Sequence, residues 1–339
     1  MRRLRVLCLM HDYLVPPEDD TKYDISVPWK TEFDVKNTLE VMGHEVRVCG
    51  MADDLSVLRT AVKDFAPHIV FNLMENFTEV GVFDQNIVSY LELLKVPYTG
   101  CNPRGLMLSR DKALSKQLLS YHRIPVPDFT VIRVGRPVQR PKRLQFPLIV
   151  KSLTQEASIG ISQASVVEND EKLRERVRFI HHSVGTDAIV ERFVDGRELY
   201  VGIVGNLALR VFPVWELNLG NLPRESWRIA TERVKWSGSY QQKHGIMSGP
   251  AEGLAEGVAE RIQRLCKRVY RTLDLSGYAR IDLRLSDDGR VYVLEANANP
   301  QIAYGEDFAE AAEAAGLQYE QLLQRIINYG LAWRPERRG

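Results

Sequence analysis

The sequence predicts an α/β chain in which a parallel-sheet unit is followed by two α+β units with antiparallel strands. Three observations carry this reading. Apolar strand-like runs and amphipathic helical stretches alternate up to about residue 102, the pattern of βαβ units with helices on the faces of a parallel sheet. Beyond that point the alternation gives way to strands in neighbouring pairs. The stretch "RIDLRLSDDGRVYVLEANANP", Arg280 to Pro300, reads as a β-hairpin, which is antiparallel by construction. With 339 residues the chain is too long for one simple core. The expected units are 1–102, 103–188 and 189–339.

The elements follow in order. "LRVLCLM", "EFDVKNTLEVMG" and "HEVRVCG" form a strand–helix–strand unit, the helix ending at Gly43. "SVLRTAVKDFAP" with "HIVFNLME", and "GVFDQNIVSYLELLK" with "VPYTG", repeat the helix–strand order. No GxGxxG follows the first strand, so a dinucleotide fingerprint is missing. "SRDKALSKQLLSYHR" reads as a helix capped by Ser109, with Lys112 and Lys116 on one face at i, i+4. The proline- and arginine-rich 125–143 reads as a surface connection. "FPLIVKS" and "ISQASVV" read as strands and "DEKLRERVRFIHHS" as a helix. "DAIVERFV" and "RELYVGIVGN" read as strands joined in a hairpin at Asp195-Gly196. The helix "AEGVAERIQRLCKRVYRTLD", the 280–300 hairpin and a final helical pair complete the chain.

Composition narrows the function classes. The apolar fraction is 45%, the charged fraction 26% and the net charge +1, so no global field argues for nucleic acid or an anionic membrane. Cys8, Cys49, Cys101 and Cys266 are scattered with no CxxC pair, which fits a reducing compartment better than disulfides or zinc. The apolar part of "MRRLRVLCLM" is too short for a signal peptide, and no later run approaches a membrane span. A cytoplasmic protein is expected.

The hairpin raises a chemical question. A two-residue type I′ loop at Asp288-Gly289 places Asp282 opposite Glu295 and Arg280 opposite Asn297. Strand alternation then puts all four on one face, with Ile281, Leu283, Leu294 and Ala296 on the other. Two facing carboxylates disfavour each other by on the order of several tenths of a kcal/mol, and by more when partly buried, unless a cation neutralises them. Oxygen ligands without His or Cys suit a hard ion, magnesium above all. A solvent-facing sheet surface on which Arg280 neutralises one acid fits the hairpin as well.

Further residues invite the same double reading. Lys151 ends an apolar strand, unusual unless its ammonium meets an anion. In "SLTQEASIGIS", Ser158 and Gly160 would let backbone N–H groups approach a phosphate. Taken alone, Lys112 and Lys151 read as solvated surface groups, and Glu191 and Glu198 as hairpin carboxylates in water.

Together the motifs resemble the ATP-grasp superfamily in its D-alanine–D-alanine ligase-like branch. They are "VPYTGCNPRGLMLSRDKALSK", "FPLIVKS", "EASIGIS", "VERFVDGRE", "VKW", "GYARIDLRL" and "VLEANANPQ", within roughly residues 68–317. The resemblance implies ATP clamped between two antiparallel sheets by an ATP-dependent carboxylate–amine ligase working through an acylphosphate. Lys112 and Lys151 then match phosphate-contacting lysines, and Ser158, Ile159 and Gly160 the phosphate-covering loop. Glu191, Phe193 and Val194 match the adenine-reading segment, and Glu198 the ribose carboxylate. Lys235 matches a lysine directed at the γ-phosphate and substrate carboxylate. Asp282, Glu295 and Asn297 match ligands of two magnesium ions, with manganese a substitute. Arg280 matches the arginine that stabilises the tetrahedral intermediate. Catalytic roles fall to Arg280, Lys235 and Ser158, and the partners are a small-molecule carboxylate and an amine.

Departures from the branch concentrate at its amino-acid site. The Glu/Ser/Tyr triad is replaced, with "MHDYLVPPEDD" in place of the Gly-rich, Glu-containing motif, Ala157 at the serine position and Trp236 at the tyrosine. Gln301 stands where the branch has a glycine, and Glu306 and Asp307 stand where it binds a carboxylate. Those acids suit a cationic or amine-bearing acceptor, or equally a helix N-cap. A substrate other than D-alanine is therefore expected. The alternatives are an authentic D-alanine–D-alanine ligase, a non-catalytic ATP-binding protein, and a carboxylating or phosphorylating relative. The long aromatic segment 11–34 is expected over the substrate pocket or against a homodimer partner.

Overall fold

The computed structural model describes residues 3–18, 23, 27–155, 158–223 and 225–335. The expected alternation builds the first unit: β1 (Arg5–His11), α1 (Lys30–Val41), β2 (Glu45–Met51), α2 (Leu55–Phe65), β3 (Ile69–Asn72) and α3 (Asp84–Leu93). The three strands are parallel in the order β2-β1-β3. β1 is central, so both of its faces are buried: Val6, Cys8 and Met10 pack with Val35 and Leu39 of α1, while Leu7 and Leu9 pack with Leu58, Ile87 and Leu91. That explains a continuous apolar run rather than an alternating one. "VPYTG" joins the sheet beside β3 through a parallel bridge between Val70 and Tyr98 and a hydrogen bond from the Asn72 N–H to Thr99 Oγ1 at 3.0 Å.

Two short helices follow, α4 (Pro103–Arg110) and α5 (Lys112–Tyr121). Ser109 is not the cap expected for them; it lies in the last turn of α4 and donates back to the Gly105 carbonyl at 2.8 Å. Asp111 breaks the helix in extended conformation, and its carboxylate accepts from Ala113 N and Leu114 N to cap α5.

The next sheet contains β4 (Phe129–Ile132), β5 (Leu148–Ser152), β6 (Val166–Val167) and, after α6 (Asp170–Phe179), β7 (Ala188–Arg192). It is antiparallel in the order β4-β7-β5-β6. Leu148, Val150, Ala188 and Val190 pack under Leu173 and Val177 of α6, whereas Ile149 faces the other way with Val166, Phe193 and Ile229. Lys151 and Glu191 share that second face by strand alternation.

The last sheet holds β8 (Arg197–Gly205), β9 (Leu209–Asn218), β10 (Met247–Pro250), β11 (Tyr278–Leu285) and β12 (Val291–Ala298), antiparallel in the order β10-β9-β8-β11-β12. Between β9 and β10 lie α7 (Glu232–Trp236) and α8 (Gly238–His244); α9 (Val258–Thr272), α10 (Asp307–Ala314) and α11 (Tyr319–Ala332) complete the chain. Ile262, Cys266 and Val269 of α9 cover one face through Leu199, Val201, Ile281 and Leu283. Among the described residues no helix is long and apolar enough to cross a membrane.

The hairpin expected at Asp195-Gly196 does not form. β7 and β8 belong to different sheets, so the chain crosses between them at 193–196, beyond the 188/189 division read from sequence. Gly196 serves a close approach: its φ is +130°, and a Cβ there would overlap the Leu285 carbonyl oxygen. Gly196→Ala is therefore expected to destabilise the fold by about 2 kcal/mol or more, read as a lowered urea midpoint with an unchanged slope.

Candidate functional site

The β11–β12 hairpin pairs Arg280 with Asn297 and Asp282 with Glu295, as the sequence predicts, but by a different route. Leu285 pairs with Val291, leaving residues 286–290 as an odd loop that shifts the register by one. A β-bulge between Asp282 and Leu283 shifts it back, because Leu283 pairs with Val293 and Leu294 is the extra residue. Val293 therefore joins Leu283 in the core in place of Leu294. The Leu294 carbonyl accepts from Lys116 Nζ at 2.6 Å.

The polar face of β11 continues across β8. Arg280 grips Asp282 with Nε at 2.8 Å and Nη2 at 2.9 Å, and its guanidinium lies 4.5 Å from the Tyr200 ring centroid. Burial works against the Arg280 charge, but the Asp282 carboxylate outweighs it and holds the guanidinium pKa above its ordinary value. Burial also pushes Asp282 above the usual carboxylate range, against the pull of Arg280 and with Glu295 adding to the rise. Glu295 goes the other way: despite burial, Lys112, Lys151, Lys235 and Arg280 lower its pKa to about 2. Next along the face, Glu198 accepts from Arg284 Nη2 at 2.8 Å and from the Tyr200 hydroxyl at 2.9 Å. Arg284 also donates to the carbonyls of Gly196 and Arg228.

Cations reach this face from three other elements. Lys112, at the first position of α5, sits 3.7 Å from Glu295 Oε2 and donates to the Gln155 carbonyl at 2.6 Å. A cation at a helix N-terminus opposes the macrodipole, so the nearby carboxylate offsets a local penalty. Lys151 on β5 and Lys116 on α5 each lie 3.2 Å from one oxygen of Glu191. Glu191, expected in the adenine-reading segment, thus buries its carboxylate between two ammonium groups, which hold its pKa down against burial. The Phe193 N–H donates to the Pro147 carbonyl. Lys235, on α7, is half-buried and acts electrostatically on both Asp282 and Glu295.

The loop at 158–163 is braced from two sides. Ser158, at φ +60°, donates its hydroxyl to the Ala230 carbonyl at 3.0 Å. Ile161 O accepts from Glu232 N at 3.1 Å, and Gln163 exchanges two hydrogen bonds with the Trp227 backbone. Arg176 of α6 donates to the Gly160 carbonyl. Ile159 is half exposed. Ala157, and Asp19 and Asp20 among the spare acids of "PPEDD", lie outside the described residues.

At the far end of β11, Asp307 at the start of α10 acts on both Arg280 and Tyr200. Glu306, expected to favour a cationic acceptor, is already paired: Lys30 Nζ lies 3.0 Å from its Oε1 and donates to the Tyr304 carbonyl at 2.7 Å. Cys101 is buried with its thiol pKa pushed up to about 12 by desolvation, which excludes a nucleophilic role near neutral pH.

Sequence reasoning missed Lys116, Arg284, Tyr200 and Lys30 as members of this network. Two were within reach, since Lys116 lies one turn from Lys112 and Arg284 is two residues from Asp282 on the same face. Among the described residues no three His, Cys, Asp or Glu side chains group as a metal cage. Two carboxylates and the Asn297 carboxamide, whose buried Nδ2 makes no hydrogen bond, form an oxygen set that fits a hard divalent ion bound jointly with a ligand.

Comparison with known proteins shows the family and the fold. A family model described as D-ala D-ala ligase C-terminus matches residues 118–328. The D-alanine–D-alanine ligase of Nitratidesulfovibrio vulgaris is 30% identical over 313 residues, covering 89% of this chain and 95% of its own. The uncharacterized protein y4sG of Sinorhizobium fredii is 30% identical over 297 residues, 86% of this chain and 84% of its own. The crystal structure of D-alanine–D-alanine ligase from Bacillus anthracis complexed with ATP superposes with a TM-score of 0.75 at 21% identity, covering 97% of this chain and 98% of that one.

The depressed Glu295 pKa makes a stability prediction for the metal-free chain. Its contribution is present above the unfolded value of 4.5 and is lost as pH falls toward about 2. The stability gap between the parent and Glu295→Gln, measured by urea denaturation with chelator present, should therefore close across that window. A gap that stays constant from pH 6 to pH 3 counts against the charge network.

Proposed function

The chain belongs to the D-alanine–D-alanine ligase family, with the ATP-grasp fold, and from that premise we propose that it is an ATP-dependent carboxylate–amine ligase whose substrates are not a pair of D-alanines. One observation carries the ligase reading: the opposed Asp282 and Glu295 carboxylates lie within reach of Lys112, Lys151, Lys235 and Arg280. The two facing sheets with α5 and α7 bring together six cations (adding Lys116 and Arg284) and four carboxylates (adding Glu191 and Glu198), an excess of positive charge suited to polyphosphate.

The roles follow from charge and placement. The apolar group Ile149, Val166, Phe193 and Ile229 would wall the adenine, with the Val194 N–H reading its edge. Glu198, oriented by Arg284 and Tyr200, would take the ribose hydroxyls. Lys112 and Lys151 would meet the phosphates and the backbone of 158–160 would cover them. Asp282, Glu295 and Asn297 would hold magnesium, which supplies charge neutralisation to the phosphates when bound. A substrate carboxylate oxygen attacks the γ-phosphorus as the bond to the ADP oxygen breaks, with Lys235 drawing the two anions together. The amine nitrogen then attacks the acyl carbon. Arg280 stabilises the oxyanion, the carbon–oxygen bond to phosphate breaks, and the amine proton is released.

The substrate reading rests on the amino end of α10. The resemblance implies small and hydroxylated residues there that anchor a carboxylate, whereas this chain places the Lys30–Glu306 ion pair beside Asp307. A mass-spectrometric product screen with Mg-ATP, mixed amino acids, dipeptides and a D-alanine arm tests it. Sustained ADP formation, beyond one equivalent per enzyme, should require both a carboxylate and an amine, with a product other than D-alanyl-D-alanine. D-Alanyl-D-alanine as the main product overturns the substrate reading; nucleotide binding without product anywhere in the panel overturns the ligase. Asp282→Asn with Glu295→Gln should cut turnover by about 10³ or more with an unchanged circular dichroism spectrum, and full activity would remove the site assignment.

A further inference from the structure

Lys116 stands apart from the other cations of the site. It is 1% exposed, so it cannot meet a ligand directly, and its ammonium is fixed by the Leu294 carbonyl at 2.6 Å and Glu191 Oε1 at 3.2 Å. The other oxygen of Glu191 lies 3.2 Å from Lys151. Lys151 is on the same sheet face as Glu191 but its side chain retains 12% exposure, so it alone of the two lysines can turn to a ligand. One fully buried carboxylate is thus shared between a sealed cation and an accessible one.

Electrostatics then assigns the sealed lysine a task. A buried carboxylate with a single cationic neighbour holds it tightly, because the alternative is an unpaired charge in low dielectric. With Lys116 present, Glu191 is neutralised from behind and the charge of Lys151 is left over. Without it, Glu191 and Lys151 cancel, and the site loses a unit of positive charge where an anion would bind. The Leu294 bond matters to this because the carbonyl comes from the bulged residue next to Glu295, which fixes the ammonium to the strand that carries Glu295.

We propose that Lys116 is a positioning residue that neutralises Glu191 and thereby frees Lys151 for the phosphates of a bound nucleotide. This rests on the nucleotide-binding reading above, and the experiment separates the two. ADP affinity is measured by titration calorimetry for the parent, Lys116→Met, Glu191→Gln and the double variant, with melting curves as a check on folding. Removing Lys116 alone leaves the buried pair one charge short and should weaken ADP by about tenfold, one unit of screened charge. The double variant restores the charge balance and should return to within about threefold of the parent (about 0.7 kcal/mol), half the free-energy loss expected for Lys116→Met. Glu191→Gln alone leaves Lys116 and Lys151 both uncompensated and should bind ADP several-fold more tightly than the parent.

A merely structural role for Lys116 predicts the reverse order, with each variant weaker and the double weakest. The proposal is overturned by a Lys116→Met variant that binds ADP as the parent does, or by a double variant no better than Lys116→Met. Should Lys116→Met fail to fold, Glu191→Gln decides: tighter ADP binding than the parent supports the proposal, and unchanged or weaker binding overturns it. A parent that binds no ADP at all overturns the nucleotide reading itself, a distinct result.

Discussion

Two carboxylates facing each other across neighbouring strands would repel, and the site is organised around making that juxtaposition tolerable. Asp282 is gripped by Arg280 from its own strand. Glu295 is surrounded by lysines that arrive from α5, β5 and α7. Those lysines belong to parts of the chain that share no sheet with the hairpin. The Asp282–Glu295 pair is therefore a point of attraction that draws a helix and a second sheet onto the 280–298 strands. The desolvation of each cation is offset there by the same acids.

The parallel unit was legible because β1 is apolar on both faces and its helices carry matching stripes. The hairpin register was legible for a reason the sequence does not display. An odd loop at 286–290 and a bulge at Leu294 each shift the pairing by one, and they cancel at Asp282 and Glu295. Turn chemistry alone cannot reveal a compensating bulge, since the bulge depends on which carbonyl finds a donor; here it is the Leu294 carbonyl and Lys116. The Asp195-Gly196 dipeptide misled in the opposite sense. Its glycine answers a tertiary contact with Leu285 O rather than a local turn, and tertiary contacts leave no mark in a dipeptide.

The candidate site divides along the same line. Residues read from strand periodicity, Arg280, Asp282, Glu295 and Asn297, occupy the positions expected of them. Lys112, Lys151 and the 158–160 loop were placed by family resemblance, because helix and loop residues lack a register that pins them to a distant strand. The long-range pairings of the buried groups were hidden, although Arg284 itself lay on the legible face of its strand. Lys30 meets Glu306 across 276 positions and Arg284 meets Glu198 across 86, and charge complementarity at such separations is one pairing among many in a chain with 45 basic and 44 acidic residues.

The alternate residues of β11 show how the 158–163 loop and the carboxylates are joined. Arg280 looks toward Asp307 and the amino end of α10, Asp282 faces Glu295, and Arg284 donates to Glu198 and to the Arg228 carbonyl. Arg228 lies in the segment whose Trp227 and Ala230 backbone groups hold Gln163 and Ser158. The Arg284 side chain thus ties the segment that braces the 158–163 loop to Glu198 and to the strand that carries Asp282, so the loop and the carboxylates share one run of hydrogen bonds.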